Sequence, residues 1–359
     1  MSRSRWWWGA LSSLVLLACG AGDDVPGPAE ARAGAPIGGT DAGLAGTSGA
    51  GSGAISAGSG GVGGGADVGG GAGIAGSAGS SGSSGAGGLG GSAGAGGATS
   101  GSAGVGETTA QPRIPSLPAQ CPKIAAGQIT VLGQKVLTWT GPAGKKGPLL
   151  FYWHGSKAEA EQALVGVAPA LDDIQQNGGV VASFTTSTDE GFESGPHVWH
   201  VGDFEMTDII FACAVDQGLV EPRRVYTSGC SAGGLQSSVM VFLRSSYLAA
   251  AMPNSGGLLK KEWTLEDPTR VPALITTHGG ADDFVGTSFE QTTERLDRSV
   301  DELGGFVVDC DHGGGHCDSP PAVKAAQWRF LKAHPFGVQP EPYADGLPDG
   351  FPQICKLWN

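Results

Sequence analysis

The feature of this 359-residue chain that most constrains its fold is a long stretch without aromatic side chains. Residues 20–112 contain 35 of the 65 glycines and no Phe, Trp or Tyr. A segment of this composition cannot bury enough apolar surface to offset the entropy that its backbone would lose on folding. We therefore expect residues 19–112 to be a disordered linker, and residues 113–359 to form one folded domain of ordinary size.

The first nineteen residues have the pattern of an export signal. Arg3 and Arg5 precede an apolar run over residues 6–18, which is too short to span a bilayer. The run ends in Leu-Leu-Ala-Cys at residues 16–19, which resembles the lipobox of bacterial lipoproteins. The resemblance implies a signal peptide over residues 1–18 and a lipidated Cys19 that anchors the protein to a membrane of the cell envelope, facing the periplasm or the exterior. The alternative is a plain secretory signal that contains a cysteine.

Residues 113–359 alternate between short apolar runs and longer segments with helical spacing. The runs predict strands at Gln128–Leu132, Lys135–Thr140, Pro148–Trp153, Gly179–Phe184, Arg224–Thr227, Val271–Thr277 and Phe306–Val308. The longer segments predict helices at Ala158–Val167, Asp203–Asp216, Ala232–Arg244, Phe289–Leu303 and Ala322–Ala333. This order indicates an α/β fold, with an opening hairpin and a mostly parallel sheet covered by helices on both faces.

A G-x-S-x-G motif lies between a predicted strand and a predicted helix, at residues 229–233. In that context the serine, Ser231, sits on a tight turn, and the flanking glycines let strand and helix approach closely. A serine hydroxyl becomes a good nucleophile only when a base removes its proton, so a histidine and an orienting carboxylate are required.

Two later loops offer those partners in the order acid, then histidine. Residues 278–285 read H-G-x-x-D-x-x-V and resemble the acid loop of α/β-hydrolases, which favours Asp282 as the acid and leaves Asp283 as the alternative. His316 is favoured over His312 as the base, because it follows three glycines and precedes Cys317.

Two further resemblances extend this site. The Cys-Ser … Asp … His-Cys pattern is similar to that of the tannase and fungal feruloyl esterase family, which implies a disulfide between Cys230 and Cys317 beneath the catalytic residues. The turn at residues 154–156 (H-G-S) resembles that of poly(3-hydroxybutyrate) depolymerase-like, feruloyl and acetylxylan esterases. It implies that the Ser156 N–H, together with that of Ala232, binds the oxyanion and that His154 is structural.

Three weaker features remain open. Trp199 lies in a loop where substrate walls are often built, although a core aromatic is an equal alternative. Four more cysteines, in a chain sent to an oxidising compartment, allow three pairings: Cys121, Cys213, Cys310 and Cys355. The acidic and histidine side chains of residues 309–318 are an alternative metal site, but they lack the spacing of known zinc motifs.

These observations lead us to expect an α/β-hydrolase that cleaves a feruloyl, acetylxylan or poly(3-hydroxybutyrate)-type ester through Ser231, His316 and Asp282. No metal or organic cofactor is expected. The 28 acidic and 18 basic residues after residue 112 argue against nucleic acid as a partner. The expected partners are the ester and, through Cys19, a membrane, and the expected state is a monomer. The alternative is a catalytically silent, surface-displayed binding protein on a hydrolase scaffold.

Overall fold

A computed structural model describes residues 110–195, 198–259 and 263–358. The predicted signal peptide, Cys19 and nearly all of the predicted linker lie outside these residues. Within the described ranges no helix has both the length and the apolar character that crossing a membrane requires.

A nine-stranded sheet forms the centre of the domain, beside a separate two-stranded one. In chain order the strands are β1 (Gly127–Val131), β2 (Gln134–Thr140), β3 (Gly147–Trp153), β4 (Val180–Phe184), β5 (Glu193–Gly195), β6 (Trp199–His200), β7 (Val220–Cys230), β8 (Ala250–Asn254), β9 (Ala273–His278), β10 (Val307–Asp311) and β11 (Cys355–Leu357). The large sheet runs β1-β2-β4-β3-β7-β8-β9-β10-β11. Its six central strands are parallel, and β1, β2 and β11 pair antiparallel at the edges. The mostly parallel sheet and its opening hairpin are as predicted.

Within residues 110–358, leaving aside the two short gaps, six α-helices cover the sheet on both faces. They are α1 (Ala163–Gly166), α2 (Ala168–Asn177), α3 (Phe204–Asp216), α4 (Ala232–Leu243), α5 (Phe289–Glu302) and α6 (Pro321–Ala333). Buried side chains of α3, α4 and α5 belong to one apolar cluster, and those of α2 and α6 belong to a second. These two clusters are the two sides of the sheet.

Strand β3 shows why the central strands read as continuous apolar runs. Successive side chains of a strand point to opposite faces, so a strand covered on both sides needs apolar residues at every position. Phe151 and Trp153 pack in the first cluster, whereas Leu150 and Tyr152 pack in the second. All four side chains are buried.

The structure differs from the predicted elements in three places. The sequence analysis did not predict β8, because its A-A-M-P-N sequence has neither β-branched residues nor an alternation of apolar and polar residues. It also missed the short strands β5, β6 and β11. The predicted helix Ala158–Val167 is instead a 3₁₀ turn over Ala160–Gln162 followed by α1, and the proline in the first turn of α2 starts a separate helix.

The parallel strands place their loops at one edge of the sheet. Strands β3, β7, β8, β9 and β10 lie side by side, and their carboxyl ends meet at this edge. The loops that follow them carry the predicted functional residues. The fold therefore brings those residues into one region.

Candidate active site

Ser231 occupies a sharp turn between β7 and α4. Its backbone angles are φ 59° and ψ −120°, a conformation that non-glycine residues seldom adopt. The turn requires Gly229 and Gly233, since a Cβ on Gly229 would lie 2.2 Å from the Gly233 carbonyl oxygen, and one on Gly233 would lie 1.8 Å from the Trp153 oxygen. This is the strained strand-to-helix turn that the G-x-S-x-G motif predicts.

The acidic partner of His316 is Asp283. The His316 Nδ1 atom lies 2.6 Å from the Asp283 Oδ1 atom, and the Asp283 side chain is fully buried. Asp282 instead is exposed at the end of the 3₁₀ turn Gly280–Asp282 and has no bond to His316. The choice of Asp282 is therefore wrong by one residue. The 3₁₀ turn directs these two neighbouring side chains to different sides, and the spacing of a sequence motif does not show side-chain direction.

Three donors keep the buried carboxylate of Asp283 ionised. Burial by itself would raise its pKa, but hydrogen bonds from His316, from the Gly279 amide at 3.0 Å and from the Ser255 hydroxyl at 2.7 Å outweigh burial and hold the pKa below its ordinary value. An ionised Asp283 accepts a hydrogen bond from the Nδ1–H group of His316, and the proton stays on the ring. It thereby leaves Nε2 as the basic nitrogen of the neutral ring.

The Nε2 atom of His316 is buried and has no hydrogen-bond partner in the described part of the chain. The ring packs against Phe289, with the ring centres 4.5 Å apart. Ser231 makes no hydrogen bond to Nε2, yet Cys230 and Cys317, the neighbours of Ser231 and His316, have Cα atoms only 5.8 Å apart. Nucleophile–base bonds are often longer in a ligand-free site and tighten when substrate binds.

The turn after β3 presents the Ser156 N–H, which has no acceptor in the part of the chain that the structure describes. The Gly155 amide donates to the Gln162 side chain at 2.9 Å, and the Gly155 oxygen accepts from the Ala158 amide at 3.1 Å. The Ser156 amide has no acceptor among the described residues. A Cβ on Gly155 would lie 3.3 Å from the Cβ of Ser231, so this turn abuts Ser231.

Ala232 supplies the second expected donor. It is the first residue of α4, and the first N–H groups of a helix have no acceptor within the helix. Neither the Ser156 nor the Ala232 amide has an acceptor among the described residues, and both belong to segments that adjoin Ser231, as an oxyanion site requires.

Trp199 is part of the core and does not line the site. Its side chain is 0% exposed and packs edge-on against Trp153, with ring centres 5.1 Å apart. Its indole N–H donates to the His154 carbonyl oxygen at 2.9 Å. The prediction of a substrate wall is wrong. The residue supports the turn that carries Ser156, and His154 itself is buried between carbonyl groups, consistent with a structural role.

Three disulfides are present in the described part of the chain. Cys230–Cys317 is the bridge that the family resemblance implied, with sulfurs 2.01 Å apart. The remaining cysteines pair as Cys121–Cys213 and Cys310–Cys355, which settles the choice among three pairings.

Two residues at the end of β8 connect the loops of the site, and the sequence reading did not find them. The carbonyl oxygen of Asn254 accepts the Ser231 amide at 3.1 Å, while its side-chain amide donates to the Cys317 oxygen at 3.3 Å. The Ser255 hydroxyl contacts both the Asp283 carboxylate and the Cys317 amide. Neither residue belongs to a motif, and β8 itself was missed, so no sequence signal pointed to them.

The alternative of a metal site at residues 309–318 gains no support. The Asp309 carboxylate lies 3.3 Å from Nε2 of His278, and His316 is bonded to Asp283. Among the residues that the structure describes, no group of three or more His, Cys, Asp or Glu side chains is arranged to hold a metal ion.

Comparison with known proteins gives a likeness of fold. No protein-family model matches the sequence, and no curated protein matches it. Among solved structures, native pOPH is 16% identical with a TM-score of 0.53, covering 67% of this chain and 97% of its own. Native sOPH is 15% identical with a TM-score of 0.50, covering 68% and 98%. A Bacillus cereus carboxylesterase is 14% identical with a TM-score of 0.44, covering 56% and 94%.

The chain has the α/β-hydrolase fold. Its mostly parallel sheet and the strained turn at Ser231, between β7 and α4, agree with that fold.

Proposed function

We propose that this protein is a serine carboxylic ester hydrolase in which Ser231 is the nucleophile, His316 the base and Asp283 the acid that orients it. The observation that carries the proposal is the short hydrogen bond between His316 and buried Asp283, with the free Nε2 atom on the ring. A histidine held in this way has one basic nitrogen to offer, and the Cys230–Cys317 disulfide joins the residue before Ser231 to the residue after His316.

The proposed reaction has two halves. The Ser231 hydroxyl oxygen bonds to the ester carbonyl carbon while His316 Nε2 takes its proton, and the amides of Ser156 and Ala232 stabilise the negative oxygen. The C–O bond to the leaving alcohol then breaks, and the alcohol oxygen receives the proton from Nε2. Water repeats the sequence on the acyl-enzyme and releases the carboxylic acid.

The location and the ester class belong to the same proposal. Residues 1–19 resemble a lipoprotein signal, and three disulfides suit a protein outside the reducing cytoplasm. We therefore place the enzyme in the bacterial cell envelope, anchored through Cys19, where feruloyl, acetylxylan or hydroxybutyrate esters would reach it. Hydrolysis of these three substrates by the purified domain would rank them.

The proposal is tested with the Ser231→Ala variant and p-nitrophenyl acetate. We expect the variant to lose about 10⁴-fold or more of kcat, and to unfold thermally like the wild type. The control is Asp282→Asn, which changes an exposed carboxylate outside the site and should leave turnover unaltered. Unchanged turnover in Ser231→Ala would contradict the proposal.

Covalent labelling separates an enzyme from a silent binding protein. A fluorophosphonate probe should attach to Ser231 in the wild type and fail to label Ser231→Ala. The His316→Gln variant should label much more slowly, because the base that activates the hydroxyl is gone. A wild-type protein that neither turns over ester nor accepts the probe would favour the binding protein.

A further inference from the structure

Residues 312–320, which connect β10 to α6 and carry His316, are called the histidine loop. A closed ring of hydrogen bonds attaches this loop to the Asp283 carboxylate at two points. The first is the bond from His316 Nδ1 to Asp283 Oδ1 at 2.6 Å. The second passes through Ser255, whose hydroxyl donates to Asp283 Oδ2 at 2.7 Å and accepts from the Cys317 amide at 2.9 Å. Since Cys317 follows His316 directly, the ring ties both the imidazole and its adjoining backbone to one carboxylate.

The directions of these bonds fit one another. An ionised carboxylate only accepts, so the single hydroxyl proton of Ser255 points to Asp283. The hydroxyl oxygen is then free to accept from the amide of Cys317, which only donates. Each polar group in the ring therefore has one consistent role, and no alternative arrangement satisfies all of them.

The position of Ser255 is itself constrained. Its side chain is 0% exposed, and its amide donates to the Thr277 carbonyl oxygen at 2.8 Å. Its φ angle is 43°, in the left-handed region where glycine is the unstrained choice. A serine in this conformation costs backbone energy that glycine would avoid, while its hydroxyl makes two hydrogen bonds that glycine would lack.

We propose that Ser255 is a positioning residue for the hydrolytic reaction. Its two hydrogen bonds hold Asp283 and the histidine loop at fixed positions relative to each other. This inference rests on the proposed ester hydrolase function. The loop it holds needs such support, because Gly313, Gly314 and Gly315 precede His316 and supply no side-chain packing. Ser255 is buried and does not reach substrate, so it acts through His316 and not through binding.

The test compares Ser255→Ala and Ser255→Gly with a matched control, Ser245→Ala. Ser245 is also 0% exposed. Its hydroxyl donates to the Asp267 carbonyl oxygen and accepts from the Asp267 amide, so it too makes one hydrogen bond of each kind. It lies after α4, away from the site. We expect both Ser255 variants to lose about 10- to 100-fold in kcat for p-nitrophenyl acetate with little change in KM. Ser245→Ala should keep the wild-type kcat.

The glycine variant separates positioning from stability. Glycine relieves the strain at φ 43°, so Ser255→Gly should unfold at higher temperature than Ser255→Ala. A merely structural role predicts that activity recovers with stability. Positioning predicts that kcat stays low in both variants, because both lack the hydroxyl.

A spectroscopic readout makes the test independent of turnover. The proton on His316 Nδ1, in a short bond to an ionised carboxylate, should give a low-field proton NMR resonance that is absent from His316→Gln. We expect this resonance to move upfield or vanish in the Ser255 variants and to persist in Ser245→Ala. A kcat within twofold of the control together with an unchanged resonance would overturn the role of Ser255. Absence of turnover in the wild type would overturn the ester hydrolase function, and the resonance would still decide the role of Ser255.

Discussion

Removal of the Cys230–Cys317 disulfide should harm activity more than removal of a bridge of the same length elsewhere. The Cys230–Cys317 bridge closes a sequence separation of 87 residues, and the Cys121–Cys213 bridge closes one of 92. In the chain-entropy model each contributes about 4–5 kcal/mol to the free energy of unfolding, and the two differ by only about 0.05 kcal/mol. Removal of either bridge should therefore lower the free energy of unfolding by the same amount, so the two bridges form a matched pair.

The two bridges differ in what they join. Cys230–Cys317 connects the residue before Ser231 to the residue after His316, whereas Cys121–Cys213 connects the start of the domain to α3. Without the first bridge, the loop that carries His316 loses its covalent link to the residue before Ser231, although its hydrogen bonds to Asn254, Ser255, Asp283 and His278 remain. A displacement of about 1 Å at a reacting group is enough to cost about 10²-fold in rate.

The assay measures both quantities for the double alanine variants of each pair. Urea unfolding monitored by circular dichroism gives the free energy of unfolding, and p-nitrophenyl acetate turnover is measured at a temperature where both variants are folded. We expect matching stability losses, near-normal kcat without Cys121–Cys213, and a kcat reduced by about 10- to 100-fold without Cys230–Cys317. Equal activities at equal folded fractions would refute the idea that the bridge positions the base.

Three further substitutions test particular contacts. Asp283→Asn should lower kcat by about 10⁴-fold, because the amide favours the wrong tautomer of His316, and a turnover within tenfold of wild type would contradict this. Burial raises the pKa of Asp297 well above its ordinary value. The native state then keeps a proton that the unfolded chain releases above about pH 4, so the contribution of Asp297 to the free energy of unfolding falls with rising pH by up to about 1.4 kcal/mol per unit. Urea unfolding of Asp297→Asn from pH 4 to 7 should lack this fall, and parallel pH curves would count against it. Trp199→Phe, which loses the bond to the His154 oxygen, should lower kcat several-fold at constant KM, whereas a change confined to KM would restore the substrate-wall interpretation.

The sequence was sufficient for the features that depend on local pattern. Short apolar runs next to glycines predicted the positions of β3, β4, β7 and β9. The small residues around Ser231 predicted the tight turn between β7 and α4. The chain order of acid and histidine also held, because both follow strands whose carboxyl ends meet at one edge of the sheet.

The features that the sequence did not reveal depend on direction or on contacts between distant segments. Asp282 and Asp283 are the same residue type at adjacent positions, and only the 3₁₀ turn decides which side chain is buried toward His316. Trp199 is an aromatic residue of the kind that lines substrate pockets, yet its side chain is buried in the core. Its indole N–H donates to the carbonyl oxygen of His154, which is 45 residues away in sequence. Ser255 carries no motif, and its role exists only because β8 ends between the two loops that it joins.

The candidate site combines a tightly packed Ser231 with a His316 that lies on a glycine-rich loop. Ser231 is fixed by close backbone packing, since Gly229 and Gly233 leave no room for a Cβ. His316 follows three glycines, so its place must come from links to other segments: the disulfide at Cys317, the carboxylate of Asp283, and the hydrogen bonds from the end of β8. Each link reaches the loop from a different strand end, and together they restrict the translation of its backbone and the rotation of its ring. Weakening any one of them should therefore reduce kcat before it reduces the cooperativity of unfolding.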